Sequence, residues 1–428
     1  MMARMRLLAG FAILTIVAMR AGGGAATPVL VALASWPQFR LNSANNAVLA
    51  GTLDVSWRIR TGGAFSSSAA FGGTSLFIGN NEGEVYSVDA RSGRIRWRRH
   101  LANPVMSAPI LYDGVVIVWE GNENSPTDAM PARPIHVGNG PNAITGLDER
   151  TGKLLWTHTL AGTGMPTPAI VDGILVHHDG DGSIIGLDPR TGAQRYARNI
   201  GSIASMVAAL PVGHGDWVTA GESRNAIWDL RASDGSVVWK TTFSRVASGI
   251  GDCPPVSDGT RIYCDYLMPP SSTTPVLVGD LGRQHVYAID VRTGRKAWDT
   301  ALESGNVRPR NEAAIPLLAD HRLFVGSPFA PYMHALDPRN GREIWRARTH
   351  GPVLGGAAAV DGTIYFGDLG GYLWALDART GRTIGDAYYG APFNVGSPAI
   401  AGRTLVIGSR GGTLLAVPLR DIRSSRAP

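Results

Sequence analysis

Charge is scarce in this 428-residue chain: 17% of residues are charged, and the only lysines are Lys153, Lys240 and Lys296. The high pI is mostly an effect of arginine and of the N-terminal stretch, and no nucleic-acid partner is expected. Only two cysteines are present, with no C-x-x-C pair and no C-x-x-C-H, so neither a metal-binding pair of that type nor c-type heme attachment is expected. The chain also lacks G-x-S-x-G, H-E-x-x-H and a phosphate-binding loop. Its longest apolar stretch, Leu7 to Met19, is too short to span a bilayer comfortably.

That stretch follows Arg4 and Arg6 and precedes two small-residue cleavage sites, after Ala26 and after Ala34. Residues 1–34 therefore read as an export signal, with a retained signal anchor as the alternative. The expected location is periplasmic or secreted, with no transmembrane span in the mature chain. Cleavage after Ala34 would remove three arginines and no acid, lowering the formal charge from +6 to +3. No cysteine lies near either site to carry a lipid. In an exported chain, the pair Cys253 and Cys264 is expected to form a structural disulfide. A two-residue turn at Asp258-Gly259 would place the two directly opposite each other on a hairpin.

What is abundant is glycine (54 residues), proline (27) and tryptophan (11), a composition of turns and short strands. One phrase recurs. "SVDARSGRIRW", "GLDERTGKLLW", "AIDVRTGRKAW" and "ALDPRNGREIW" share an Asp, a turn Gly and an aromatic anchor. The Asp falls at Asp89, Asp148, Asp188, Asp290, Asp337 and Asp377; Arg231 and Pro418 fill its slot in two degenerate copies. The spacings are 59, 40, 43, 59, 47, 40 and 41 residues, the period of a propeller blade with insertions.

Each position has a mechanical role. The Asp caps backbone N–H groups of its own turn. Gly93, Gly152, Gly192, Gly294, Gly341 and Gly381 supply the positive φ that closes it. The anchors Trp57, Trp97, Trp156, Tyr196, Trp239, Trp298 and Trp345 start outer strands and wedge against neighbouring blades; Gly385 stands in the remaining slot. The last copy has three strands, so the segment around Trp57 is expected to complete it and close the ring. The expected fold is an all-β, eight-bladed propeller of four-stranded antiparallel blades spanning residues 35–420, with a disordered tail at 421–428.

The phrase resembles the pyrroloquinoline-quinone (PQQ) enzyme repeat, and "SWPQFRLNSANNAV" is similar to the N-terminal segment of that superfamily. Its enzymatic branch, the quinoprotein dehydrogenases, implies PQQ and Ca²⁺ on the propeller axis. Asp252, Asn311 and Glu312 would then be axis-facing oxygen ligands, and Arg308 and Arg310 would meet the quinone carboxylates. The adjacent cysteines of the larger alcohol-oxidising members are missing. The chain is closer in size to non-enzymatic, BamB-type propellers of the outer-membrane assembly machinery, although it lacks their lipid-bearing Cys.

That branch implies a monomeric exported scaffold without a cofactor. It would bind an envelope protein through the face bearing loops 120–142 and 266–285, together with segment 303–314. The opposite face carries Arg91, Arg150, Arg190, Arg292, Arg339 and Arg379, expected to be a solvated surface. "HHDGD" (His177–Asp181) reads as an ordinary turn, and His136, His214 and His334 have no partner at ligand spacing.

Overall fold

The computed structural model describes residues 35–36, 38–121, 142–162, 166–202, 207–221, 225–244, 246, 250, 253–269, 281–306, 313–393 and 395–424. The expected export signal, residues 1–34, lies outside them. Eight antiparallel sheets follow one another around a ring, and one short helix, Leu419–Ser424, ends the described chain. Blade 1 shows the pattern: inner strand Ala70–Gly72, then Ser75–Gly79, Glu84–Asp89 and outer strand Ile95–His100. The first three strands are apolar and buried throughout, because each is covered by the blade on either side. The outer strands alternate in exposure.

The ring closes as expected. Trp57–Arg60 pairs with Thr413–Pro418 as the outer strand of blade 8, so the first and last parts of the propeller share a sheet. Two blades are wider than four strands. Ser35–Trp36 adds to the inner edge of blade 2, and Val48–Leu49 adds in parallel to the inner edge of blade 8. The segment between these two short strands therefore lies in the axial channel.

The repeated phrase works as read, with one addition. Asp290 Oδ1 accepts from the Thr293 amide (2.8 Å) and hydroxyl (2.7 Å), and Asp377 does the same with Thr380. The turn glycine also serves as the seat for the preceding blade's tryptophan. A Cβ on Gly381 would sit 2.6 Å from Trp345, and one on Gly93 would sit 2.8 Å from Trp57. The indole N–H then donates to a carbonyl in that same turn: Trp57 to Ala90 (3.0 Å), Trp97 to Glu149 (3.0 Å), Trp298 to Pro338 (2.9 Å). Seven of the eight blades are thus latched onto the next by one aromatic side chain and one glycine.

Where the anchor slot holds Gly385, the helix takes its place. Ile422 is fully buried in a cluster with Tyr365, Leu405 and Val417, and Ile384 packs against it. Residues 421–424, expected in a disordered tail, are therefore part of the packing of blades 7 and 8; residues 425–428 lie outside the description.

Other expectations shift by a few residues. The Cys253–Cys264 disulfide is present, with a Cα–Cα distance of 6.1 Å. The hairpin register is Val256↔Tyr263 and Ser257↔Ile262, so the turn is four residues long and the cysteines are not directly opposed. The insertion read as 266–285 is partly paired: Tyr266↔His285, Leu267↔Gln284 and Met268↔Arg283 extend the blade 5 ladder. Likewise Glu303–Asn306 belongs to the outer strand Lys296–Asn306 and not to a linker.

Candidate functional site

The five residues proposed for a quinone and calcium, Asp252, Arg308, Arg310, Asn311 and Glu312, lie outside the described residues, as does His136. What the structure describes on the axis is the chain's own N-terminal segment. Phe39 packs in a cluster with Ala108, Ala208, Ile315, Leu354 and Val395, side chains contributed from five blades. Arg40 beside it is 1% exposed. Its Nη2 donates to the carbonyls of Ala357 and Pro398. Glycine at 356 is required there, because any Cβ would collide with the guanidinium. Nε and Nη1 have no partner among the described residues, and burial pulls the Arg40 pKa down to about 9.

Asn45 and Asn46 continue the plug by bonding inner-strand backbone. Asn45 reaches the carbonyls of Pro254 and Pro316, and Asn46 both donates to and accepts from Ala359. This part of the axis is filled by an aromatic ring, a cation and amides. Among the described residues, it offers no set of converging carboxylates of the kind Ca²⁺ requires.

The face bearing the two insertions is built differently. An aspartate just beyond the end of the second strand, or within it in blade 5, caps an inter-blade loop in several blades. Asp368 accepts from the amides of His350 and Gly351 and from the Trp374 indole, and Asp179 accepts from Gly162. Burial pushes Asp179 up to about 7. In blade 5, fully buried Asp265 accepts from Gln284 (2.8 Å) and from the Ala314 amide (3.1 Å) of blade 6, and burial likewise raises it to about 7. "HHDGD" is thus strand and cap. His178 bonds Thr219 and Ser202 within the fold, and burial drives His177 down to about 3.

His334 departs from its sequence reading. Fully buried in blade 6, it lies between two carboxylates: Nδ1 is 2.9 Å from Glu343 Oε2, and Nε2 is 2.8 Å from Glu303 Oε2 in the outer strand of blade 5. Arg346 also pairs with Glu303, at 3.0 Å. Burial opposes protonation, but the two carboxylates outweigh it and raise the His334 pKa, while the histidine lowers both glutamates. Glu303 comes from blade 5 and Glu343 from blade 6, so the histidine acts as a clamp between the two blades. Sequence spacing hid it because Glu303 and Glu343 belong to different blades.

The turn face carries the expected arginines, and part of their charge is spent locally. Arg339 pairs with its own turn Asp337 (2.8 Å), and Arg190 pairs with Asp113 (2.6 Å). Among the described residues, no helix is long and apolar enough to cross a membrane.

Comparison with known proteins places these features in context. A sequence family described as "Outer membrane protein assembly factor BamB" matches residues 47–202, 119–263 and 282–423. The tetrathionate hydrolase of Acidithiobacillus ferrooxidans is 26% identical over 353 residues, covering 79% of this chain and 69% of that protein. The outer membrane protein assembly factor BamB of Burkholderia pseudomallei is 24% identical over 360 residues, covering 82% of this chain and 84% of its own. The crystal structure of BamB from Moraxella catarrhalis superposes with a TM-score of 0.60 at 16% identity, over 85% of this chain and 98% of that one. A europium-containing methanol dehydrogenase gives 0.61 at 12% identity, over 88% and 90%. Identities this low establish a shared fold and leave activity open.

Proposed function

The chain belongs to the family of outer membrane protein assembly factor BamB, and from that premise we propose that it is an exported, non-catalytic propeller scaffold. It acts as a monomer and binds an envelope protein through the face bearing its two insertions. The observation that supports this most is the axial plug: Phe39 and Arg40 occupy the channel, so the rim is the surface left for a partner. The stems of both insertions, Glu120 with Asn142 and Met268 with Leu281, join second to third strands and leave the propeller on the same face. Loops held by a rigid ring are where propellers carry recognition.

A second reading has its own support. Similarity to tetrathionate hydrolases and the unpaired guanidinium nitrogens of Arg40 both suit a sulfonate-bearing substrate at the axis. The quinoprotein alternative would depend on Asp252, Arg308, Arg310, Asn311 and Glu312 to hold PQQ and calcium.

Site-directed photo-crosslinking in the native envelope tests the scaffold reading. Probes within 122–141 and 270–280 should give protein adducts, and a probe at Arg190 on the turn face should not. Equal adducts from both faces, turnover of tetrathionate by the purified protein, or calcium-dependent PQQ binding at micromolar affinity would each overturn it.

A further inference from the structure

The slot two residues before the turn Asp holds Ser87, Gly146, Gly186, Ala288, Ala335, Ala375 and Ala416 in seven blades. In six of the seven the blade's own outer aromatic lies over it, the exception being Ala375 opposite Gly385. A Cβ on Gly146 would collide with Trp156, and one on Gly186 with Tyr196. Blade 4 has Asp229 there, paired across the sheet with Trp239. The residue is 4% exposed, and its Oδ1 has no hydrogen-bond partner. An unsatisfied buried carboxylate costs about 1–3 kcal/mol, and a small residue would remove the cost.

Asp229 lines a cavity of about 460 Å³ between blades 4 and 5 on the turn face. That volume falls in the range of small-molecule sites. Val212, Val238 and Val291 form apolar walls, and Asp216 and Asp290 add carboxylates. Asp290 Oδ1 is already engaged by its own turn, which leaves Asp229 as the buried acceptor. Arg292 lines the cavity as its one permanently charged cation. The one described group in which two carboxylates and a histidine converge closely enough for a metal ion lies elsewhere, at Glu303–His334–Glu343. A cavity with three valines and a buried carboxylate in its lining fits a cation carried on a short aliphatic chain.

We propose that this cavity binds an alkylammonium group, with Asp229 as its counter-ion and the three valines around its methylenes. The source is either a free aliphatic diamine or the lysine side chain of a partner, and the two share this chemistry. The site is separate from the loop face and does not depend on the scaffold reading.

Isothermal titration of the purified protein tests it, with cadaverine and with Nα-acetyl-lysine methylamide as probes and n-pentanol as the neutral control. Asp229→Ala and Asp229→Ser restore the residue type of other blades, so both variants should remain folded. Binding of either amine below about 1 mM, at least tenfold weaker in both variants and absent for pentanol, supports the proposal; a tenfold loss is about 1.4 kcal/mol. Tighter cadaverine then identifies a free diamine, and tighter acetyl-lysine a partner's side chain. No heat with either amine, unchanged affinity in the variants, or a divalent ion that binds where cadaverine cannot compete would overturn it.

Discussion

The interfaces between blades 6 and 7 and between blades 4 and 5 use the same latch to different effect. At the first, Trp345 lies on Gly381, donates to the Ala378 carbonyl at 3.2 Å, and covers Ala335. At the second, Trp239 lies on Gly294 and donates to the Val291 carbonyl at 2.8 Å, but the slot beneath it holds Asp229. One interface is closed by apolar packing and the other keeps a cavity with a carboxylate in its wall. The latch is common to these two interfaces, and what differs is the residue in the slot beneath the tryptophan.

The comparison can be broken from either side. Ala335→Asp places an unpaired carboxylate under Trp345, and urea unfolding should show a loss of about 4 kcal/mol or more. Trp345→Ala empties a filled interface and should cost about 3–4 kcal/mol; Trp239→Ala should cost less, because its neighbourhood is already hollow. Gly381→Ala forces a side chain to φ +73° against the indole and should cost about 2 kcal/mol by the same measurement. Gly294→Ala should match it, since the latch itself is common to both interfaces.

The smallest effect concerns the neighbouring clamp between blades 5 and 6. Because the folded state raises the His334 pKa, its contribution is complete below the ordinary histidine value and is lost as pH rises through the raised one. The lowered glutamates make the opposite contribution, lost as pH falls through their depressed values. The unfolding midpoint should therefore fall on the alkaline side, and His334→Gln should flatten that limb.

Much of this was legible in the primary structure. Asp, Gly and Trp at fixed offsets defined eight blades and their closure, because turn geometry and inter-blade packing impose the same residues on every copy. The slot holding Asp229 was visible in the same alignment, two residues before Arg231, but only the cavity gives it meaning. The role of Phe39 and Arg40 was not legible, since a segment crossing the axis contacts inner strands hundreds of residues away and has no period. His334 was missed for a related reason: both its partners lie across strand or blade boundaries that local spacing does not report.

The most direct test of the claim that Asp229 serves chemistry and not the fold is the stability of Asp229→Ala without ligand, measured across pH. Burial raises the Asp229 pKa to about 7, so its folded form resists ionisation. The Asp229 contribution therefore turns increasingly unfavourable as pH rises from near 4 through 7. The account predicts that the variant is more stable than the native chain by about 1 kcal/mol above pH 7, with the gain fading toward pH 4. A variant less stable than the native chain at every pH would show that Asp229 is part of the architecture, and would contradict it.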